Sequence, residues 1–385
     1  MKREIELYIH IPFCVKKCAY CDFLSSPADE AVKKAYVKAL ELEIAFWGQK
    51  LENTTVSTIF IGGGTPSLLS GEQMETLLQC VRRSFRVEKD AEITMEMNPG
   101  TVNDKNLIRY KKAGVNRISI GLQSAKNEEL QKLGRIHTFQ EFLDTYKAVR
   151  ACGFENVNVD LISAIPGQTR ESFEESLHIV ARLEPEHISA YSLIVEEGTP
   201  FYEKYGDGKP KERDLPSEEE ERAMYKRTKE ILEKYGYERY EISNYAKDGF
   251  ACRHNIGYWE RKEYIGVGIG AASFLGKERF SNIRKIDQYL AYAKERSFEK
   301  MVSEREILDM SQEMEEFMFL GLRMQKGISA AKFQETFGCP LDEVYGKEIA
   351  KLKKQGLLKE KGENFSLTDF GIDISNYVFV EFMNK

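Results

Sequence analysis

The sequence predicts an α/β fold: a partial (β/α)6 barrel of the TIM type over residues 1–200, an added α+β region over 201–300, and a C-terminal winged-helix-like domain over 301–385. Three observations predict it. Before residue 200, six short apolar runs alternate with five helical segments, the pattern of a parallel sheet wound as βα units. Between Lys209 and Arg222 the texture turns charged and proline-broken. Beyond residue 300 the order becomes three helices followed by two short strands, which is the winged-helix order.

Taken in order, Ile5 to Ile11 reads as the first strand, stopped by Pro12, which cannot donate to a ladder. Thr58 to Ile61 leads into Gly62-Gly63-Gly64-Thr65-Pro66, Ile93 to Glu96 into Asn98-Pro99-Gly100, and Arg117 to Gly121 into Gln123-Ser124. Val157 to Ile162 leads into Pro166-Gly167-Gln168, and His187 to Leu193 ends before Gly198-Thr199-Pro200. Helical periodicity fills the gaps over residues 29–51, 71–85, 104–113, 139–152 and 171–183. In the added region, Ser217 with Glu220 reads as a capping box opening a helix to Tyr235. Tyr264 to Leu275 reads as one strand whose Gly266, Gly268 and Gly270 leave a face bare, the mark of a bulge or of a ligand lying on the sheet.

Composition narrows the class. Hydrophobic residues at 42% and charged residues at 31% suit a water-soluble globular chain. No apolar run approaches the roughly 18 residues of a membrane span. Met1-Lys2-Arg3 runs straight into a strand with no secretory h-region, so a cytoplasmic location is expected. A net charge of -6 lacks the basic excess of a nucleic-acid reader. Lys351, Lys353 and Lys354 of the winged-helix region are offset by acidic neighbours, which gives that region a packing or lid role. Seven cysteines without a secretion signal read as thiols rather than a disulfide framework. Cys80, Cys152 and Cys339 read as small buried hydrophobes.

The chemistry concentrates at Cys14-x-x-x-Cys18-x-x-Cys21, on the loop after the first strand, where parallel α/β folds place their sites. Thiolates at this density select zinc or iron-sulfur. Structural zinc takes four protein ligands, and only His10 is near; a cubane on three thiolates keeps one iron open. Around the same rim stand Gly62 to Thr65, then Glu96, Gln123, Arg135 and Asp160. Singly, each is an ordinary turn, cap or ion-pair residue; together they suit a polar ligand carrying amines, hydroxyls and a carboxylate. A zinc-stabilised protein with no colour stays open on these residues alone.

Tyr8-x-His10-Ile-Pro-Phe-Cys14-x-x-x-Cys18-x-x-Cys21 with Gly62-Gly-Gly-Thr-Pro66 resembles the radical S-adenosylmethionine superfamily, in its coproporphyrinogen-III-oxidase-like branch. The resemblance covers nearly the whole chain. It implies a radical-SAM partial barrel in which Cys14, Cys18 and Cys21 hold a 4Fe-4S cluster whose open iron is chelated by S-adenosylmethionine. It further implies Tyr8 near the sulfonium, Tyr20 over the adenine, and Gly63, Gly64 and Thr65 at the amino acid moiety. Glu96, Gln123, Arg135 and Asp160 would hold the remaining polar edges and the ribose, with the backbone near Ile194 and Ala272 facing the adenine.

Oxidase members of that branch carry a fourth cysteine two residues after the third, where this chain has Phe23. Cys252-Arg253-His254-Asn255-Ile256-Gly257-Tyr258-Trp259 instead resembles the His-Asn-x-x-Tyr-Trp signature of the haem chaperones of the family, the HemW type. That resemblance implies a chain that binds haem and passes it to haem-requiring acceptors. A neutral imidazole at His254 would ligate the iron, Asn255, Tyr258 and Trp259 would line the site, and Arg253, Arg261 or Lys262 would meet propionates. Cys252 would add a thiolate or a covalent link. The partners implied are haem, an acceptor protein including membrane-associated ones, an electron donor for the cluster, and a second copy in a homodimer. Whether sulfonium cleavage is part of the work stays open. The competing reading is an oxygen-independent coproporphyrinogen III dehydrogenase.

Overall fold

The computed structural model describes residues 3–383, so the Met1-Lys2 start and the last two positions of the third predicted domain lie outside the described residues. The first half runs β1 (Glu4–Ile11), α1 (Glu30–Lys50), β2 (Thr55–Gly63), α2 (Gly71–Ser84), β3 (Arg86–Met97), α3 (Asp104–Ala113), β4 (Arg117–Gln123), α4 (Asn127–Lys132), α5 (Phe139–Ala151), β5 (Val157–Ser163), α6 (Arg170–Ala181) and β6 (His187–Ser192). These six strands pair in parallel in chain order. The barrel alternation predicted from the sequence is present, with the short α4 as an addition that six residues of weak periodicity did not announce.

The added region contributes α7 (Tyr202–Tyr205), α8 (Glu218–Glu233), β7 (Glu238–Arg239), β8 (Asn244–Ala246), α9 (Arg253–Trp259), β9 (Tyr264–Val267), β10 (Ala272–Leu275), β11 (Glu278–Asn282), α10 (Ile286–Glu295) and β12 (Val302–Ile307). Its strands extend the sheet at both ends, giving the order β12-β11-β10-β9-β1-β2-β3-β4-β5-β6-β8-β7, and the sheet does not close. The run from Tyr264 to Leu275 is two strands and not one. Gly268 and Gly270 take φ of +99° and +64°, which only glycine adopts cheaply, and the chain reverses there. A Cβ at Gly268 would lie 2.5 Å from the Tyr36 hydroxyl, so the bare face serves a turn packed on α1.

The last segment is α11 (Met310–Gly321), β13 (Ile328–Ser329), α12 (Ala330–Phe337), α13 (Leu341–Lys354), β14 (Leu358–Lys361), β15 (Asn364–Leu367), α14 (Asp369–Asp373) and α15 (Ser375–Val380). It has its own three-stranded sheet and its own core, from Met318, Leu322 and Phe333 to Phe382. Cys80 is buried, whereas Cys152, the C-cap of α5, and Cys339, in the link between α12 and α13, are half-buried against the cores.

Period-two alternation positions the site. Ile5, Leu7, Ile9 and Ile11 of β1 join the apolar core shared with α1 and α2. Glu6, Tyr8 and His10 therefore point the other way, into the barrel. Register stacks them in layers: Glu6 beside Thr58, Tyr8 beside Phe60, and His10 beside Gly62. Thr58 in turn lies beside Glu92, and Gly121 beside Asp160.

Candidate functional site

At the C-terminal ends of the strands the three thiols stand on the β1–α1 loop, all half-exposed. Hydrogen bonds tie that loop to the next strands. Thr65 Oγ1 donates to Cys14 Sγ and Arg135 Nη1 to Cys18 Sγ, each at 3.4 Å. Asn98 closes the ring, donating to Thr65 Oγ1 at 2.8 Å and accepting from Arg135 Nη2 at 2.7 Å. A hydroxyl and a guanidinium thus hold two of the three sulfurs in place at the rim. No three Cys, His, Asp or Glu side chains among the described residues converge on one point as ligands of a single ion do. A cubane asks for something else, because each thiolate meets a different iron.

The glycines are there for space. Gly64 donates to the Ile11 carbonyl at 2.8 Å, and a Cβ on it would lie 2.7 Å from the Phe13 carbonyl oxygen. Gly63, at φ +109°, presents its N–H to Glu96 Oε2 at 3.0 Å. Burial, and then the neighbouring Asp160, push the Glu96 carboxyl up to about 7. Burial likewise raises Asp160, against the hydrogen bonds from Asn158, Ser189 and Ser119. Two half-buried carboxyls held up by burial, with Asp160 raising Glu96 further, suit a cationic guest. Gln123 ends β4 at φ +78°, a strained conformation for a non-glycine residue, and is buried beside the rim. His10 behaves as a structural residue: its ring nitrogens meet Tyr8 Oη at 3.0 Å and the Leu24 carbonyl of the cysteine loop at 2.9 Å.

Not every expected rim residue joins this network. Tyr20 does stand at the rim, beside Arg135 and Cys18 and edge-on against Phe201, whereas two other positions lie outside it. Ile194 is 67% exposed on the loop after β6, and Ala272 is exposed at the start of β10.

The second group of candidates lies at the other end of the barrel. Helix α9 enters from below, and its N-terminal N–H groups are capped by a carboxylate from another strand. Glu92 accepts from Arg253 N at 3.1 Å, His254 N at 3.2 Å and Cys252 Sγ at 3.4 Å. His254 is 1% exposed, its Nδ1 at 2.7 Å from Thr58 Oγ1 and its Nε2 at 2.9 Å from Tyr258 Oη. Phe60 stacks on the ring at 5.2 Å. Thr58 stands four residues before Gly62 on one strand, so the two ends are about 13 Å apart.

Sequence reasoning gave His254 to haem iron; here both ring nitrogens are committed and closed off, so ligation by this imidazole requires α9 to withdraw. Cys252 is fully buried, with its thiol pushed up to about 12 by burial, and is not offered as a thiolate in this conformation. Asn255 and Tyr258 are half-buried on the same helix. Trp259, at the end of α9, is the member of the motif that reaches an open cleft, against the C-terminal segment.

A model of the radical SAM superfamily matches residues 8–180, and one of the HemN C-terminal domain matches residues 308–374. The chain is 38% identical over 383 residues to a protein of Lactococcus lactis named heme chaperone HemW, covering 100% of this chain and 98% of that one. The chain belongs to the HemW family. A Bacillus subtilis protein of the same name is 36% identical, with 98% and 99% covered, and one from Escherichia coli is 43% identical over 69% of each chain. The solved structure of HemN, the Escherichia coli coproporphyrinogen III oxidase described as a radical SAM enzyme, superposes with a TM-score of 0.85 over 99% of this chain and 90% of its own, at 24% identity; that likeness is one of fold.

In this HemW-family chain, the residues missed from the sequence are those that join elements. Asn98 was read as part of a turn, yet it bridges the cysteine loop to Arg135. Glu92 and Glu6 were not singled out, and the only signal for them is their inward phase on strands otherwise apolar at that depth. No helix of the described residues is long and apolar enough to cross a membrane.

Proposed function

We propose that this chain binds haem and delivers it to haem-requiring acceptor proteins, holding a 4Fe-4S cluster and S-adenosylmethionine at the strand C-termini. The observation that carries this reading is full-length similarity to proteins named heme chaperone. It is reinforced by Phe23, 64% exposed, at the place where the oxidase pattern needs a fourth thiol. Cys14, Cys18 and Cys21 would hold the cluster, with Thr65 and Arg135 positioning two of the sulfurs. Glu96, Asp160 and the Gly63 to Thr65 backbone would hold S-adenosylmethionine. Bound there, cluster and sulfonium together supply one-electron chemistry. Residues 1–200 form the cofactor-binding unit in this reading, 201–300 bring the haem motif, and 301–385 pack against it.

The deciding experiment is anaerobic titration with ferric haem and, separately, incubation of the cluster-reconstituted protein with coproporphyrinogen III, S-adenosylmethionine, a reductant for the cluster and an electron acceptor for the substrate. Stoichiometric haem binding without a protoporphyrinogen product is expected. Turnover of the porphyrinogen would overturn the chaperone reading in favour of the dehydrogenase.

The Glu96 carboxyl makes a second prediction. A cationic ligand needs it ionised, and its position near 7 means that lowering the pH protonates it before the ligand arrives. Affinity for S-adenosylmethionine is expected to fall about tenfold from pH 8 to pH 6, following the ionised fraction. Calorimetric titration of the parent against Glu96→Gln checks it. The variant should bind weakly with a flatter pH dependence, and parallel slopes would remove Glu96 from the site.

A further inference from the structure

The cysteine loop carries more than its thiols. It exposes Lys16 and Lys17, and with them two bare apolar side chains, Val15 at 58% and Phe23 at 64% exposure. A second exposed basic pair, Arg284 and Lys285, comes to the same face from the link between β11 and α10. Two contacts bring it there: Gly270 N donates to the Ile283 carbonyl at 3.0 Å, and a Cβ on Gly270 would lie 2.9 Å from Leu24 of the cysteine loop. Burial lowers the His10 imidazole and the charge of Arg284 adds to that, so the guanidinium lies near the end of β1. None of the four cations is in an ion pair among the described residues. Their acidic neighbours in sequence are Asp22 and Asp287. The chain as a whole carries a net charge of -6, so this face has the opposite sign to the molecule.

We infer that this collar is the docking surface of an acidic one-electron carrier protein, one whose flavin or iron-sulfur group lies near its own surface. The inference rests on the cluster reading above and deepens it, by naming the face through which an electron arrives. A small apolar centre ringed by unpaired charge suits a transient redox encounter: the charges steer the approach, and the modest apolar area lets the two proteins separate afterwards. In the transfer the carrier is oxidised by one electron and the cluster reduced by one, with no bond made or broken. A second copy of this chain is a poorer occupant, because a two-fold contact would set these cations against their own equivalents. A lipid surface would match the charge but makes no use of the three half-exposed thiols within the collar. Phe23 thereby acquires a part, as one of the two apolar side chains that the carrier covers.

Two charge reversals on separate elements test it, Lys16→Glu with Lys17→Glu and Arg284→Glu with Lys285→Glu. Lys359→Glu with Lys361→Glu, exposed on β14 of the C-terminal sheet, changes the net charge equally elsewhere. Stopped-flow reduction of the cluster-reconstituted protein by a photoreduced acidic flavodoxin is expected to slow about tenfold in each collar variant at low salt and to keep the parental rate in the β14 variant. The gap should close by about 0.5 M salt. Photoreduced deazariboflavin, a small uncharged reductant that needs no docking, is expected to reduce all of them alike. Parental protein should broaden the NMR signals of isotope-labelled oxidised flavodoxin, and both collar variants should lose that effect, a readout in which no electron moves. Parental rates and parental broadening in both collar variants overturn the docking surface. Equal slowing in the β14 variant overturns it as well, and so does a parent that leaves the flavodoxin signals sharp while binding phosphatidylglycerol vesicles. A parent that holds no iron or sulfide overturns the cluster reading instead, and the broadening still decides the surface.

Discussion

Anaerobically reconstituted Cys18→Ala is expected to carry almost no iron or acid-labile sulfide, against about four of each per chain in the parent. Cys18 is the central thiol of the three, so its loss leaves Cys14 and Cys21 too few to hold a cubane. The variant should still fold. Cys18 is half-exposed; its removal leaves Arg135 Nη1 without its sulfur acceptor, while Nη2 keeps Asn98 Oδ1 at 2.7 Å and the Gly121 carbonyl at 2.6 Å. The expected stability loss is about 1–3 kcal/mol, that of a hydrogen bond lost by a half-buried charged group. Iron, zinc and sulfide analysis on parent and variant checks this. Unchanged iron in Cys18→Ala would refute the cluster, and stoichiometric zinc without sulfide in the parent would restore the zinc reading.

The barrel was legible because its signals are local. Strand phase is written in two-residue alternation, and helix starts are written in capping boxes such as Thr138 with Glu141 and Ser217 with Glu220, both formed in the structure. Rim residues were legible for the same reason: they follow strand ends, and strand ends of a parallel sheet share a face. What could not be read depends on distant partners. Helix α9 has seven residues and no side-chain cap of its own; its N-terminus is satisfied by Glu92, some 160 positions earlier. Nothing near His254 in sequence says that its imidazole enters the barrel to meet Thr58. The cleft at Trp259 likewise needs walls from α9 and from β13, which no local pattern brings together.

Glu6→Gln is expected to stabilise the protein at pH 8 and above by a few kcal/mol and to change little at pH 5. Glu6 is fully buried in the lowest barrel layer, and no donor completes a hydrogen bond to either carboxylate oxygen. Burial pushes the carboxyl up to about 8, with Lys262 and Thr58 pulling the other way. The neighbouring imidazole offers no charge in return. His254 Nδ1 is 3.8 Å away, but burial holds that ring down to about 3, so it is neutral wherever the protein works and the contact is not an ion pair. Space is equally short: a Cβ at Gly257 would lie 1.9 Å from Glu6 Oε1, so α9 sits directly on the carboxyl. The sign follows. Between the ordinary carboxyl value of 4.5 and about 8 the folded chain holds a proton that the unfolded chain has lost, so rising pH favours unfolding throughout that window. Each pH unit crossed inside the window costs the folded chain about 1.4 kcal/mol, which amounts to a few kcal/mol once pH reaches 8. Glutamine keeps the shape and cannot ionise, so the penalty disappears with it, whereas at pH 5 the parent carboxyl is already neutral when folded. Buried histidines titrate in both proteins and cancel in the difference. Urea unfolding of parent and variant at pH 5 and pH 8 checks the argument: a gap that opens only at the higher pH supports it, and an equal gap at both would mean that Glu6 stays ionised beneath α9.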